Sequence, residues 1–386
     1  SEPVRTGFMH KHSFAIEGGD ESMRYNVGLN YSAKDGVMKQ SVRDILGGYV
    51  TLMYRKNNFS FNNSLNVDYT KTENPVIPFS SYAKANPYYR KRNDEGVAEK
   101  YLENRKVGAR TVKAFNPIYD AEQGNEDKGT QFGIREQFQA EWSGLKDTRI
   151  RARFGLNKNN KDSHIFKSPE LSEFNDKEET KRGSYKKNTE NTFSYDGELT
   201  ITYGALLGER HMINAVGGWK FNSSKTTRDA YVAIGFANDE IRNPAFSSMY
   251  EEDSKPTYGE SESRGTSFYG NFGYSYDNRY QLDATIRMDG SSVFGVNRHF
   301  TTIWSTGISW NLHNEKFIKD AGWTNLFKLR ASIGNPGNQN FDSYQSFTTY
   351  IYNTQLLNVL GTGVTIQKFG NPDLEWQKTL NLTVGT

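Results

Sequence analysis

The stretch FYGNFGYSYDNRYQLDATIRM, Phe268 to Met288, decides the fold through one question: which solvent does each of its two faces meet? Phe268, Phe272, Tyr274 and Tyr276 occupy even positions, and after Asp277-Asn278 so do Tyr280, Leu282, Ala284, Ile286 and Met288. Asn271, Ser275, Arg279, Gln281, Asp283, Thr285 and Arg287 occupy the odd ones. Alternation with period two across a tight turn is an antiparallel hairpin with one apolar and one polar face. The apolar face needs either a second sheet or lipid.

Composition narrows that choice. The chain has 386 residues, 35% of them hydrophobic, and a mean hydropathy of −0.79. No run approaches the roughly 18 consecutive apolar residues of a membrane helix. A β-barrel stays open, because only alternate strand residues must be apolar while lumen and loops are polar. The 23 Tyr, 24 Phe and 35 Gly beside 10 Pro suit strands with aromatic belts and tight bends. There is no Cys, hence no disulfide framework and no thiolate metal site. A net charge of +3 from 48 basic and 45 acidic residues gives no reason to expect a nucleic-acid partner.

The hairpin pattern recurs along the chain. Apolar alternation marks Phe14 and Ile16, then Tyr25 to Tyr31, Val50 to Tyr54 and Phe59 to Tyr69, followed by Phe132 to Trp142, Ile150 to Leu156, Phe193 to Tyr203 and Ile213 to Phe221. After the opening hairpin it returns at Trp304 to Leu312, Phe327 to Ile333 and Trp376 to Val384, for about thirteen strands. Short connections at 56–58, 143–147, 204–210 and 277–278 alternate with long polar ones near 70–131, 157–192, 222–266 and 334–375. One rim of tight turns and one of large loops is the plan of an outer-membrane barrel. The turn-side segment NEKFIKDAGWTN has helical spacing at Phe317, Ile318 and Ala321.

Strands in soluble sandwiches average about five to six residues, whereas a tilted strand crossing lipid needs about 9 to 11, and most runs here are about 10 to 13. A soluble sandwich, adhesin or lectin is the competing reading, and its difficulty is the number of long connections. SEPVRTGFMHKH has no initiating Met or signal-peptide core, and NLTVGT stops within an alternating run. Either residues 1–386 are the β-barrel portion of a longer chain whose further strands cover two otherwise open edges, or the barrel reading fails.

RMDGSSVFG (Arg287 to Gly295), ASIGNPGNQNF (Ala331 to Phe341) and GNPDLEWQKT (Gly370 to Thr379) resemble successive landmarks of the SusC/RagA family of TonB-dependent outer-membrane transporters. YNVGLNYSAKDGVMKQS, NPYYR and AFNPIYDA are similar to that family's first strands and loops, so the resemblance spans nearly the whole chain. It implies part of a transmembrane antiparallel barrel of about 22 strands in a Gram-negative outer membrane, with lipid around it. It further implies a plug and TonB box before Ser1, final strands after Thr386, a SusD-like lipoprotein cap, and coupling to the TonB complex. The solute would be an oligosaccharide or, alternatively, an oligopeptide; a passive channel is the remaining membrane reading.

No acid and base pair stands out, so the expectation is a protein that is not an enzyme and holds no cofactor. GTGVTI at Gly361 lacks the third glycine of a phosphate cradle and reads as a loop. His10 and His12 share a strand face without a visible third ligand and read as surface histidines rather than a metal site. Arg149, Arg151 and Arg153 line the polar face of their strand, either to attract solute or, the favoured reading, to pair with acids beside them. Among loop residues, Tyr82, Tyr88, Tyr89 and Tyr119 with Arg90 and Asp120 are the candidates for substrate contact, since ring faces and adjacent charges can stack on and hydrogen-bond to a sugar. The alternative is that they pack the long loop onto itself or onto the cap.

Overall fold

The computed structural model describes residues 3–108, 110–252, 254–295, 297, 299–322, 324–338, 344–359 and 361–386. Trp323 and the Gln339 to Phe341 end of the GNPGNQNF stretch lie outside them.

The opening hairpin forms as its alternation requires. Its arms pair Phe268 with Met288, Phe272 with Ala284 and Tyr274 with Leu282, and Asp277 and Asn278 both take positive φ at the turn, as Asp and Asn tolerate. The even face is bare: Phe268 is 46% exposed and Ile286 57%. Among the described residues no second sheet covers it, so this face meets lipid.

One antiparallel sheet carries the chain. Its path runs through β1 (Phe8–Gly19), β2 (Met23–Asp35), β3 (Val42–Lys56), β4 (Phe59–Glu73), β5 (Glu126–Trp142), β6 (Thr148–Lys167), β7 (Ser184–Leu207) and β8 (His211–Ile234). It continues through β9 (Thr257–Tyr276), β10 (Tyr280–Ser291), β11 (Phe300–Asn311), β12 (Lys328–Gly334) and β13 (Asn381–Gly385), each beside the next in sequence. Each apolar run of the sequence overlaps one of these strands. Such nearest-neighbour order is the meander of an up-and-down barrel wall.

Three expectations need correction. The strands are longer than the apolar runs, reaching 20 residues in β6 and β9 and 24 in β7 and β8. Their loop-side halves, such as NKNNKDS in β6, are polar on both faces, because neither face there meets lipid. Cross-strand ion pairs take over as adhesive: Glu190 accepts from Lys161 at 3.4 Å and Arg228 at 2.7 Å, and Lys225 reaches Glu260 at 2.8 Å. Second, the alternation of short and long connections is not strict, since the loop-side links at 36–41 and 292–299 are short. Third, Trp376 is not on β13; it lies in the preceding connection with its ring 5.6 Å from that of Phe294.

Burial follows the same logic. The largest fully buried side chains, Phe166, Phe294, Leu171, Asn116 and Ser168, all lie at or beyond the loop-side strand ends. The apolar core therefore sits outside the bilayer, where Phe166 meets Phe236 edge-on at 5.2 Å. At the turn-side rim, aromatic rings form a belt: Phe59 stands 6.2 Å from Trp142, and Tyr280 stacks between Tyr276 and Trp310 at 6.4 and 6.0 Å.

That belt is tied to the turn below it. In the link after β11, a short helix α1 (Lys316–Lys319) buries Ile318 and leaves Phe317 exposed. Glu315 at its start accepts from Tyr280 Oη at 2.9 Å, Trp310 Nε1 at 3.0 Å and Arg279 Nη1 at 3.2 Å. Replacing Glu315 by Ala strands three donors, and we expect the temperature at which the folded band is lost on SDS gels to fall. Glu315→Gln, which keeps an acceptor, should fall less.

Candidate functional site

Residues 74–125 form the largest described connection before β5, and AFNPIYDA is its knot. Pro117 opens a helical turn, Pro117–Glu122, where its missing N–H costs nothing. Asn116, 1% exposed, caps that turn by accepting from Ile118 N at 3.1 Å. Its Nδ2 donates to the carbonyls of Lys91 and Glu99 at 2.9 and 2.8 Å, closing the loop on itself.

The knot also fastens neighbouring connections. Asp120 Oδ1 accepts from the Ser172 amide and hydroxyl at 2.9 and 2.7 Å. Asn125 Oδ1 accepts from Ser168 N at 2.9 Å, and Asp239 Oδ2 accepts from Gly124 N at 2.8 Å. Residues 74–125, 168–183 and 235–256 thus form one platform above the wall.

Between the first two of these segments lies a cleft of about 840 Å³. Tyr89 and Asp120 line it together with Lys84, Asn86, Lys167 and Glu173, over an apolar bed that includes Leu102 and Phe115. Tyr89 donates its hydroxyl to Glu103, and that bond holds the phenol pKa above its ordinary value. The remaining candidates are dispersed. Tyr82 faces a separate hollow of about 220 Å³ beside Ile118. Tyr88 is 94% exposed, and Arg90 pairs with Asp94. Tyr119 is half-buried under Lys100, whose Nζ lies 5.9 Å from the ring centre. Burial, then the negative charges of Glu170, Asp120 and Asp239, raises its hydroxyl pKa.

Burial likewise raises the pKa of Asp120, against the two bonds from Ser172 that favour its charged form. A carboxyl whose folded pKa lies above its unfolded value adds stability below the unfolded value and loses it as pH rises through the folded one. Protection factors of the 168–183 amides, which divide out the pH dependence of intrinsic exchange, should therefore rise on acidification through that window. Asp120→Asn should flatten the response, and Asp120→Ala should weaken the docking by about 1–3 kcal/mol at any pH.

On the inner wall, the arginine ladder is paired. Glu141 takes Arg149 at 3.3 Å and Arg151 at 3.0 Å, while Arg153 reaches Asp196 at 3.5 Å and Glu198 at 3.3 Å. Tyr269 extends the network by donating to Glu198 at 2.8 Å; it lies flat over Gly218, where an added Cβ would come within 2.2 Å of its ring. The His10 and His12 rings lie 5.2 Å apart, tilted by 58° to each other, with His10 5.8 Å from Tyr31. GTGVTI is a strand rather than a loop, part of the ribbon Thr349–Asn358 with Gly361–Lys368.

Two of the landmark motifs, RMDGSSVFG and GNPDLEWQKT, dock on each other. Gly295 N donates to Leu374 O at 3.0 Å and Asn297 N to Pro372 O at 3.2 Å, while Phe294 packs on Trp376. An added Cβ on Gly295 would meet Pro372 O at 1.9 Å, so only glycine allows the approach. Sequence reasoning missed this contact; its one signal was a tryptophan inside a polar connection.

Residues 11–386 match the family model described as TonB dependent receptor-like, beta-barrel. TonB-dependent receptor P26 of Formosa agariphila is 28% identical over 384 residues, which cover 96% of this chain and 37% of that protein. TonB-dependent receptor SusC of Bacteroides thetaiotaomicron is 32% identical over 124 residues, covering 31% of this chain and 12% of that one. Among solved structures, one described as the RagAB peptide transporter superposes with a TM-score of 0.77 at 18% identity, covering 97% of this chain and 42% of that chain. The chain thus spans well under half the length of these proteins.

Proposed function

Because the chain belongs to the TonB-dependent receptor-like β-barrel family, as an outer-membrane receptor wall of SusC/RagA type, we propose that it serves the active import of a neutral oligosaccharide. The observation that carries the solute class is the paired inner wall. With Arg149, Arg151 and Arg153 each matched to an acid, the described lumen ladder offers no free basic row to select an ionic peptide. Serine, threonine and asparagine between those pairs offer the short donors and acceptors that hydroxyl-rich solutes exchange for water.

In this reading a SusD-like lipoprotein closes over the platform formed by 74–125, 168–183 and 235–256, and the TonB complex supplies force through another part of the receptor. Residues 1–386 contribute barrel wall and loops. Tyr89 offers its ring face to solute at the cleft and Tyr88, exposed outside it, offers another, while Tyr82, Arg90, Tyr119 and Asp120 hold the loop that presents them. No bond chemistry is involved. A strain lacking the gene should lose growth on one polysaccharide and keep growth on peptides, with recovery on complementation. Unchanged growth on every polysaccharide, with growth on peptides lost, would replace the solute with an oligopeptide.

A further inference from the structure

The outward face of the wall changes character along its length. Its apolar run ends at Leu156 on β6, Phe193 on β7 and Phe221 on β8, yet all three strands continue toward the platform in unbroken register. On that same face, beyond the acyl layer, aromatic rings stand in a row from strand to strand. His164 of β6 stacks on Tyr185 of β7 at 5.5 Å, Tyr185 on Tyr231 of β8 at 6.4 Å, and Tyr231 meets Tyr250 edge-on at 6.1 Å. The short strand Met249–Tyr250 brings the last ring by pairing with the end of β8. His164, Tyr185 and Tyr231 are part-exposed, and Tyr250 is 48% exposed. At its end the row opens on a cavity of about 490 Å³ beside Tyr231 and Tyr250, lined also by Pro244, Met249, Ser247 and Ser248, with no charged side chain in its described lining.

Most charges beside the row are spent on one another. Asp162 takes Lys187 and Thr189, and Glu126 takes Lys128 at 3.0 Å, Arg242 and, at 3.5 Å, His164. Asp229 differs: it is exposed two residues before Tyr231 on the same face, and it makes no ion pair among the described residues. A phosphate would meet Asp229 as a like charge, and an acyl chain would leave its carboxylate unsolvated and unpaired. A sugar ring suits both features, with an apolar face for the tyrosines and hydroxyls that donate to a carboxylate. This face is continuous with the band that meets lipid, and the layer just outside the acyl chains of a Gram-negative outer leaflet is the saccharide of its glycolipid. We propose that the row and its cavity form a lateral site for a sugar unit of the glycolipid surrounding the barrel, with the unit resting on Tyr250 and Tyr231 and donating to Asp229. The assignment rests on the outer-membrane setting of the wall and is independent of the imported solute.

The test is native mass spectrometry of the whole receptor, purified from outer membranes and delipidated in detergent, titrated with rough-type lipopolysaccharide, which carries core sugars on lipid A, and with lipid A alone. Wild-type receptor should hold the sugar-bearing form more tightly, by about tenfold or more. Tyr250→Ser should weaken that binding about fivefold and Asp229→Ala about tenfold, with affinity for lipid A unchanged in both. Both side chains are exposed, so the variants should still migrate as folded on SDS gels. Equal binding of the two lipids by the wild type overturns the proposal, as does lipopolysaccharide affinity unchanged in both variants. Loss of a co-purifying protein or of a second receptor copy from the variants, at unchanged lipopolysaccharide affinity, would assign the face to that protein instead and equally overturn it.

Discussion

Ile286→Arg should prevent the receptor from accumulating in the outer membrane, while Thr285→Arg, one residue away, should leave its abundance nearly unchanged. Ile286 stands 57% exposed on the apolar face of β10, between the aromatic belt at Tyr280 and the loop-side end of the strand. Arginine facing lipid near the bilayer midplane costs about 2–4 kcal/mol, a large part of a marginal stability. Thr285 belongs to the opposite face, where Arg287 and Asp283 already stand. Because side chains alternate, the same charge has opposite consequences at adjacent positions. The check is the amount of folded receptor in purified outer membranes, with denaturant midpoints after refolding into vesicles. Equal loss in both variants would refute the assignment of faces.

Phe166→Ala should open the external platform and spare the wall. Its ring has no exposed surface and packs edge-on against Phe236 in a core completed by Leu171, Phe174 and Ile234. Removing a buried phenylalanine costs about 3–5 kcal/mol through lost contacts and the cavity left behind. That core lies at the strand tips, so the deficit falls on 168–183 and 235–256. Protease should then cut these segments in intact cells, with the barrel still migrating as folded on SDS gels. Loss of the whole barrel instead would mean that the tip core and the wall unfold as one unit.

The wall was legible because lipid imposes a rule on alternate residues. The two arms of Phe268 to Met288 obey it throughout, while Phe59 to Tyr69 and Phe132 to Trp142 each depart from it once, at Asn63 and Glu136, which meet on the apolar face, Asn63 Nδ2 donating to the Glu136 carboxylate. Where no face meets lipid, the rule lapses. NKNNKDS in β6 and KKNTEN in β7 belong to the same strands as the apolar runs before and after them, yet their pairing rests on backbone ladders and ion pairs that have no period. Trp376 looked like a strand residue since it stands an even number of positions before Leu380, but its partner Phe294 is distant in sequence. The loop site was legible in composition and not in arrangement. Asn116 and Asp120 show why: both spend their polar atoms on tying the loop, and only the fold shows that Tyr88 stands exposed while Tyr89 and Tyr119 are engaged by Glu103 and Lys100.

The long strands have a geometric consequence. A strand of 24 residues, as in β7 and β8, rises roughly 55 Å along the barrel axis at a tilt near 45°, while the apolar band needs about 25 Å. Roughly 30 Å of rigid chimney then stands above the bilayer, and the mouth opens that far from the nearest acyl chain. The lipid-anchored partner proposed above, if it rests on the mouth, would need a tether of at least about ten extended residues between its acylated end and its first folded element. Shortening that tether should strand the partner beside the chimney without altering a single contact between the two proteins.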